Sequence, residues 1–147
     1  MFEHILVPLD GSELSERAAQ STLELARKLG ARVTGFVAEP LPPLPTVGAH
    51  AAGYARQSEE YLARTEAHAE EVLKRFKRHA VEKGVEFDGH FKSTDTVDDA
   101  IIDAAQEYGC DLIVMVTHGR GAFGELLFGS HTKSVLSRSK LPLLVLH

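Results

Sequence analysis

Short apolar runs alternate with helical stripes along the whole chain, and no other feature restricts the possible folds as much. Ile5-Leu6-Val7 is an aliphatic run that stops at Pro8. Leu14, Ala18, Leu25 and Leu29 then recur at helical spacing, with Gly30 as a C-terminal stop. Residues 33–38 read as a second strand. A long helix is expected from about Gln57 to Lys83, carrying Leu62, Ala69, Leu73, Phe76 and Ala80 on one face. After Gly84, residues 85–91 read as a third strand. Val97, Ala100, Ile101, Ala104 and Tyr108 form the next helical stripe. Residues 112–116 read as a fourth strand, 132–139 as a last short helix and 143–146 as a fifth strand. Alternation of this kind predicts an α/β fold, an open, doubly wound five-stranded parallel sheet. Right-handed crossovers place its helices on both faces. The unbroken apolar run from Leu112 to Val116 fits a strand buried on both sides.

One domain is expected over the 147 residues, a length that buries most of its surface without disulfide or metal staples. Pro40-Leu41-Pro42-Pro43-Leu44-Pro45 interrupts the rhythm and opens an irregular stretch before the helix at Gln57. A loop this long reads as a stiff connector, a lid or a binding loop. The single Cys110 excludes an internal disulfide and multi-cysteine metal sites, which favours a reducing compartment. Sixteen basic against 21 acidic residues, net −5, argue against nucleic acid as the main partner. No apolar run reaches membrane-span length. The start Met1-Phe2-Glu3-His4 lacks the features of a signal peptide, so a cytoplasmic location is expected.

Ligands of open parallel sheets bind beyond the C-terminal strand ends, where strand order reverses. Two loops therefore matter most. After the first strand comes Pro8-Leu9-Asp10-Gly11-Ser12. After the fourth comes Thr117-His118-Gly119-Arg120-Gly121, continuing through Gly124 to Gly129-Ser130-His131-Thr132 at a helix start. Glycines allow close backbone approach, and free N–H groups at a helix start attract a phosphate. Ser130 is expected as the N-cap, and Arg120 and His118 would add positive charge. The same glycines also suit a plain chain turn. Asp10 reads two ways. It is either a turn residue bonding its own backbone, with Ser12 capping the first helix, or a carboxylate facing a base amino group or ribose hydroxyls.

Other residues carry less chemistry. His68 and His79 lie eleven residues apart on one helix, about 16 Å, too far to share an ion. His118 and His131 are the only histidine pair the fold would bring together near phosphates. No dedicated metal site is expected; Mg or Mn held by phosphate oxygens is more in keeping with these residues. Neither Ser12 nor Ser130 belongs to a triad pattern, and no G-x-x-x-x-G-K-[S/T] loop occurs. Cys110 reads as a packing residue. Glu59, Glu60, Glu70 and Glu71 form a solvated helix face.

The opening Ile5-Leu6-Val7-Pro8-Leu9-Asp10-Gly11-Ser12, with Ser15 and Ala18, resembles the start of the universal stress protein family. Gly119, nine intervening residues, and then Gly129-Ser130 resemble the second half of that family's signature G-x2-G-x9-G-[S/T]. The ending Arg138-Ser139-Lys140-Leu141-Pro142-Leu143-Leu144-Val145 is also similar. The resemblance implies strand order 3-2-1-4-5, bringing Asp10 and the Gly119 loop together across about 110 residues. It further implies ATP or AMP bound there and a homodimer through the last strand. By the same resemblance Pro8 and Asp10 flank the adenosine, and Val37 presents backbone to the adenine. Met115, Gly119, Gly129, Ser130, His131 and Thr132 would line the ribose and phosphates. One departure stands out: Val116 occupies the place of the signature's first glycine.

The expected function is a stress-associated regulatory protein that binds an adenine nucleotide at the ends of strands one and four. Two alternatives remain open at this level. Val116 and the Pro-rich loop fit an interaction module that binds no nucleotide and meets a protein partner instead. A slow ATPase is the most enzymatic reading; no dedicated enzyme is expected.

Overall fold

The computed structural model describes residues 1–116 and 129–146. Nine elements follow in order: β1 (His4–Leu9), α1 (Glu13–Leu29), β2 (Arg32–Glu39), α2 (Ala51–Lys83), β3 (Phe87–Ser93), α3 (Val97–Glu107), β4 (Leu112–Val116), α4 (Ser130–Arg138) and β5 (Leu143–Leu146). The strands form one parallel sheet in the order β3-β2-β1-β4-β5, which is the order the resemblance implies.

Each central strand is apolar on both faces because helices cover both. Ile5, Val7 and Leu9 of β1, with Leu112 and Val114 of β4, pack beneath α1 and α2 against Leu23, Val72, Phe76 and their neighbours. Leu6, Ile113 and Met115 point the other way, with Phe36, onto α3 and α4 through Ile101, Ala104 and Val135. Period-two alternation thus divides the core into two layers separated by the sheet. Asp111 ties the centre of the sheet together: its carboxylate accepts the N–H groups of Glu3 (2.8 Å) and His4 (3.1 Å), and its own N–H donates to the His4 carbonyl (2.9 Å).

Several boundaries differ from the sequence reading. β1 continues through Pro8 to Leu9, pairing with Phe36 and Val37. Its pairing with β4 covers only Ile5 and Leu6, so Pro8 lies beyond the end of that ladder, where a missing N–H is tolerated. α2 begins at Ala51, six residues before Gln57, because its first buried residue is Ala69 and its exposed early turns carry no apolar period. The irregular segment shrinks accordingly to residues 40–50. β3 starts at Phe87; Val85 is buried but precedes the ladder. α4 starts at Ser130 and ends at Arg138, against the expected 132–139.

Candidate functional site

Strand order reverses between β1 and β4: the chain runs from β1 outward to β2 and β3, then crosses back to β4. The gap left where these two strands part is the switch point at which open α/β sheets bind ligands.

The loop on the β1 side is locked by its own side chains. The Asp10 carboxylate accepts the Ser12 N–H at 2.9 Å, closing an Asx turn. Ser12 is the N-cap of α1, its hydroxyl accepting the Ser15 N–H at 3.2 Å, and the Ser15 hydroxyl accepts from the Asp10 N–H, also at 3.2 Å. Gly11 has φ +80° and fits so closely against α2 that a β-carbon there would lie 2.9 Å from Val72 Cγ2 and 3.0 Å from His68 Nε2. His68 also bonds Glu39, at the end of β2, through Nδ1 (2.6 Å). The turn reading of Asp10 therefore holds, and the same residue lines the cleft described next.

A cleft of about 290 Å³ opens at the ends of β1, β2 and β4 on the α3/α4 face. This is near the lower end of the usual range for small-molecule sites, about 300–1,000 Å³. Its floor is apolar, made by Phe36, Ala38 and Met115 with Val97 and Ile101 of α3. The rim includes Pro8, Asp10, Gly129, His131 and Thr132. Val116 is half-buried and stands in the wall.

The start of α4 differs from expectation in one respect. Gly129, in extended backbone, occupies the N-cap with no side-chain cap bond, and Ser130 is the first helical residue and exposed. With glycine as the cap, the cap residue itself offers no side-chain oxygen to the first turn. The Lys133 N–H closes the first helical bond, to the Gly129 carbonyl at 3.1 Å. The N–H groups of residues 130–132 precede it, the donors that helix geometry leaves without carbonyl partners in the helix. Thr132 and Val135 are the buried residues of α4, and two carboxylates of α3 meet it nearer the surface: His131 Nδ1 lies 2.5 Å from Asp98 Oδ1, and Arg138 pairs with Asp99.

Of the expected site residues, Pro8, Asp10, Met115, Gly129, His131 and Thr132 meet in this cleft. Val37 turns its side chain into the α1/α2 core at 1% exposure, while its neighbours Phe36 and Ala38 line the cleft. Ser130 sits at the helix start beside the lining residues. Gly119 and Arg120, with His118, Gly121 and Gly124, lie outside the described residues. Sequence reasoning missed the floor, Phe36, Ala38, Val97 and Ile101, because its apolar side chains carry the same signal as core. It also missed Asp98, whose link to His131 spans 33 residues and belongs to no motif.

Away from the cleft, His68 meets Glu39, and His79 lies 3.6 Å from Glu82. Among the described residues no cluster of three or more acidic, histidine or cysteine side chains has metal-binding geometry, and no helix is long and apolar enough to cross a membrane. Cys110 is buried, and burial pushes its thiol up to about 11, in keeping with a packing role.

The universal stress protein family matches over residues 1–147. The chain belongs to that family. A universal stress protein of Thermus aquaticus is 33% identical over 153 aligned residues, covering 99% of this chain and 98% of the relative. A solved universal stress protein from Archaeoglobus fulgidus covers 100% of both chains at 25% identity, with a TM-score of 0.72. Another structure from that organism, a universal stress protein in complex with dAMP, shares the fold at 22% identity and TM-score 0.66, covering 99% of this chain and 98% of that one. The universal stress protein fold thus accounts for the parallel sheet and its strand order.

Proposed function

We propose that this protein is a regulatory universal stress protein that binds an adenine nucleotide in the cleft between β1 and β4. The observation that carries the reading is the composition of the cleft at the switch point. An apolar floor suited to a purine lies between the Asp10 carboxylate and the N-terminal turn of α4. In this reading Phe36, Ala38 and Met115 support the base, and Asp10 accepts from ribose hydroxyls or a base amino group. The first-turn amides of residues 130–132 face the phosphates. Gly119 and Arg120 enter from the sequence spacing alone. The dAMP complex of the Archaeoglobus relative supports the same ligand class. Mg or Mn would be carried mainly by phosphate oxygens, since among the described residues Asp10 is the carboxylate of the cleft lining.

Titration calorimetry with ATP and AMP in the presence of magnesium tests the proposal, with binding at micromolar to low-millimolar nucleotide as the expected result. Absence of heat at millimolar nucleotide removes it.

One observation favours a second reading. Val116 stands in the cleft wall where the family signature has glycine, so a branched side chain lines the cleft at that point. If the protein is instead an interaction module without nucleotide, Val116→Gly creates ATP affinity that the wild type lacks. Tight wild-type binding, unchanged in the variant, excludes that module.

The reading includes a homodimer. β5 is a sheet edge of four half-buried apolar residues, a surface that commonly pairs with its own copy. Light scattering of a monomer at tens of micromolar would contradict it.

A further inference from the structure

We infer that Asp98 is a positioning residue for the phosphate end of the cleft, acting through His131, and that nucleotide binding is thereby coupled to proton uptake. The inference rests on the nucleotide reading above and goes beyond it to the charge state of the ligand the site prefers.

His131 is one helical position inside α4 and lines the cleft, whereas Asp98, on the first turn of α3, does not. Nδ1 of the imidazole is committed to Asp98 Oδ1 at 2.5 Å. A carboxylate only accepts, so Nδ1 carries the proton in this pair, and Nε2 is the nitrogen left to meet a ligand. A neutral ring would present Nε2 to the cleft as an acceptor and repel a phosphate oxygen. A protonated ring presents Nε2–H as a charge-assisted donor. An anion arriving beside Nε2 therefore draws a proton onto the ring, and Asp98 balances the resulting imidazolium.

The charged and titratable groups around His131, among the described residues, are Asp98 and Asp99 of α3, Asp10 across the cleft, and Lys133 and Arg138 of α4. Asp99 is paired with Arg138, and the Asp10 carboxylate is bonded to its own loop. Asp98 is thus the carboxylate that bonds this ring. The Asp99–Arg138 pair provides a matched control: it joins the same two helices, but neither residue lines the cleft.

The test compares adenosine, AMP and Mg-ATP binding by calorimetry at pH 6 and pH 8, in buffers of different ionisation enthalpy. The wild type is expected to take up protons on binding ATP, with ATP affinity about tenfold weaker at the higher pH, the size of one lost charge-assisted hydrogen bond. Asp98→Asn should flatten that pH profile and leave adenosine affinity within about twofold, and His131→Gln should flatten the profile as well. Asp99→Asn should keep the wild-type profile. Equal ATP losses in Asp98→Asn and Asp99→Asn, or an adenosine loss as large as the ATP loss, would overturn the positioning role. So would a wild type that binds ATP without proton uptake. A wild type that binds neither adenosine nor ATP defeats the nucleotide reading itself, and this inference falls with it.

Discussion

Replacing Gly11 by alanine separates two costs that usually arrive together. Gly11 has φ +80°, and a β-carbon there would stand 2.9 Å from Val72 Cγ2. The left-handed backbone alone costs a non-glycine residue about 1–2 kcal/mol. The contact adds about 1–3 kcal/mol, the usual range for overpacking, because Val72 is buried and its branched side chain has little rotamer freedom. His68, the other neighbour, is half-exposed and can swing aside. The expected loss is therefore about 2–5 kcal/mol, the sum of these two ranges. Gly84 supplies the reference: its φ is +69°, but nothing lies within 4 Å of its would-be β-carbon. Gly84→Ala should cost only the backbone share, about 1–2 kcal/mol. Urea unfolding of both variants, and of Gly11→Ala in a Val72→Ala background, measures each share as a shift in midpoint at constant slope. In that background the cost at Gly11 should fall toward the cost at Gly84. Equal losses at the two glycines in the wild-type background would refute the contact and with it the seating of α2 on the β1–α1 loop.

Two further predictions concern buried titratable groups. His4 is buried and bonded through Nε2 to Thr34 Oγ1 at 2.7 Å; burial first, and nearby Arg32 second, hold its pKa below the ordinary histidine value. The unfolded chain then binds the proton more readily, so this contribution is present above about pH 6.5 and is lost as pH falls through the lowered value. Urea stability measured from pH 7.5 to 5 should decline more steeply in the wild type than in His4→Gln; parallel declines would disprove it. Cys110, with its thiol pushed up to about 11, should react with a disulfide reagent at pH 8 only in denaturant, and rapid modification of the native protein would contradict its burial.

The strands and the parallel sheet were legible because both faces of each central strand are covered, which writes a continuous apolar run into the chain. The start of α2 was not. Its first turns bury nothing, so Ala51 and Gln57 look alike to a periodicity argument. Pro8 misled for a different reason: its effect depends on whether a neighbouring strand still pairs there, and sequence does not say where β1 and β4 part. At the site, Asp10 and the Gly129 segment stood out through spacing. Phe36 and Ile101 did not, since an apolar side chain reads the same whether it faces a cavity or a neighbour. Ser130 was expected to cap α4, but glycine one residue earlier takes that place. Asp98 was beyond reach because a contact across 33 residues needs the fold before it can be drawn.

α2 spans 33 residues, and Gly11 touches it at His68 and Val72, about midway along. Some 17 residues lie between His68 and the helix start at Ala51, a rod of about 25 Å. The buried residues of α2 begin at Ala69 and continue through Val72, Leu73, Phe76 and Ala80, so the half beyond Gly11 is clamped to the core while the arm before it reaches out with none of its side chains buried.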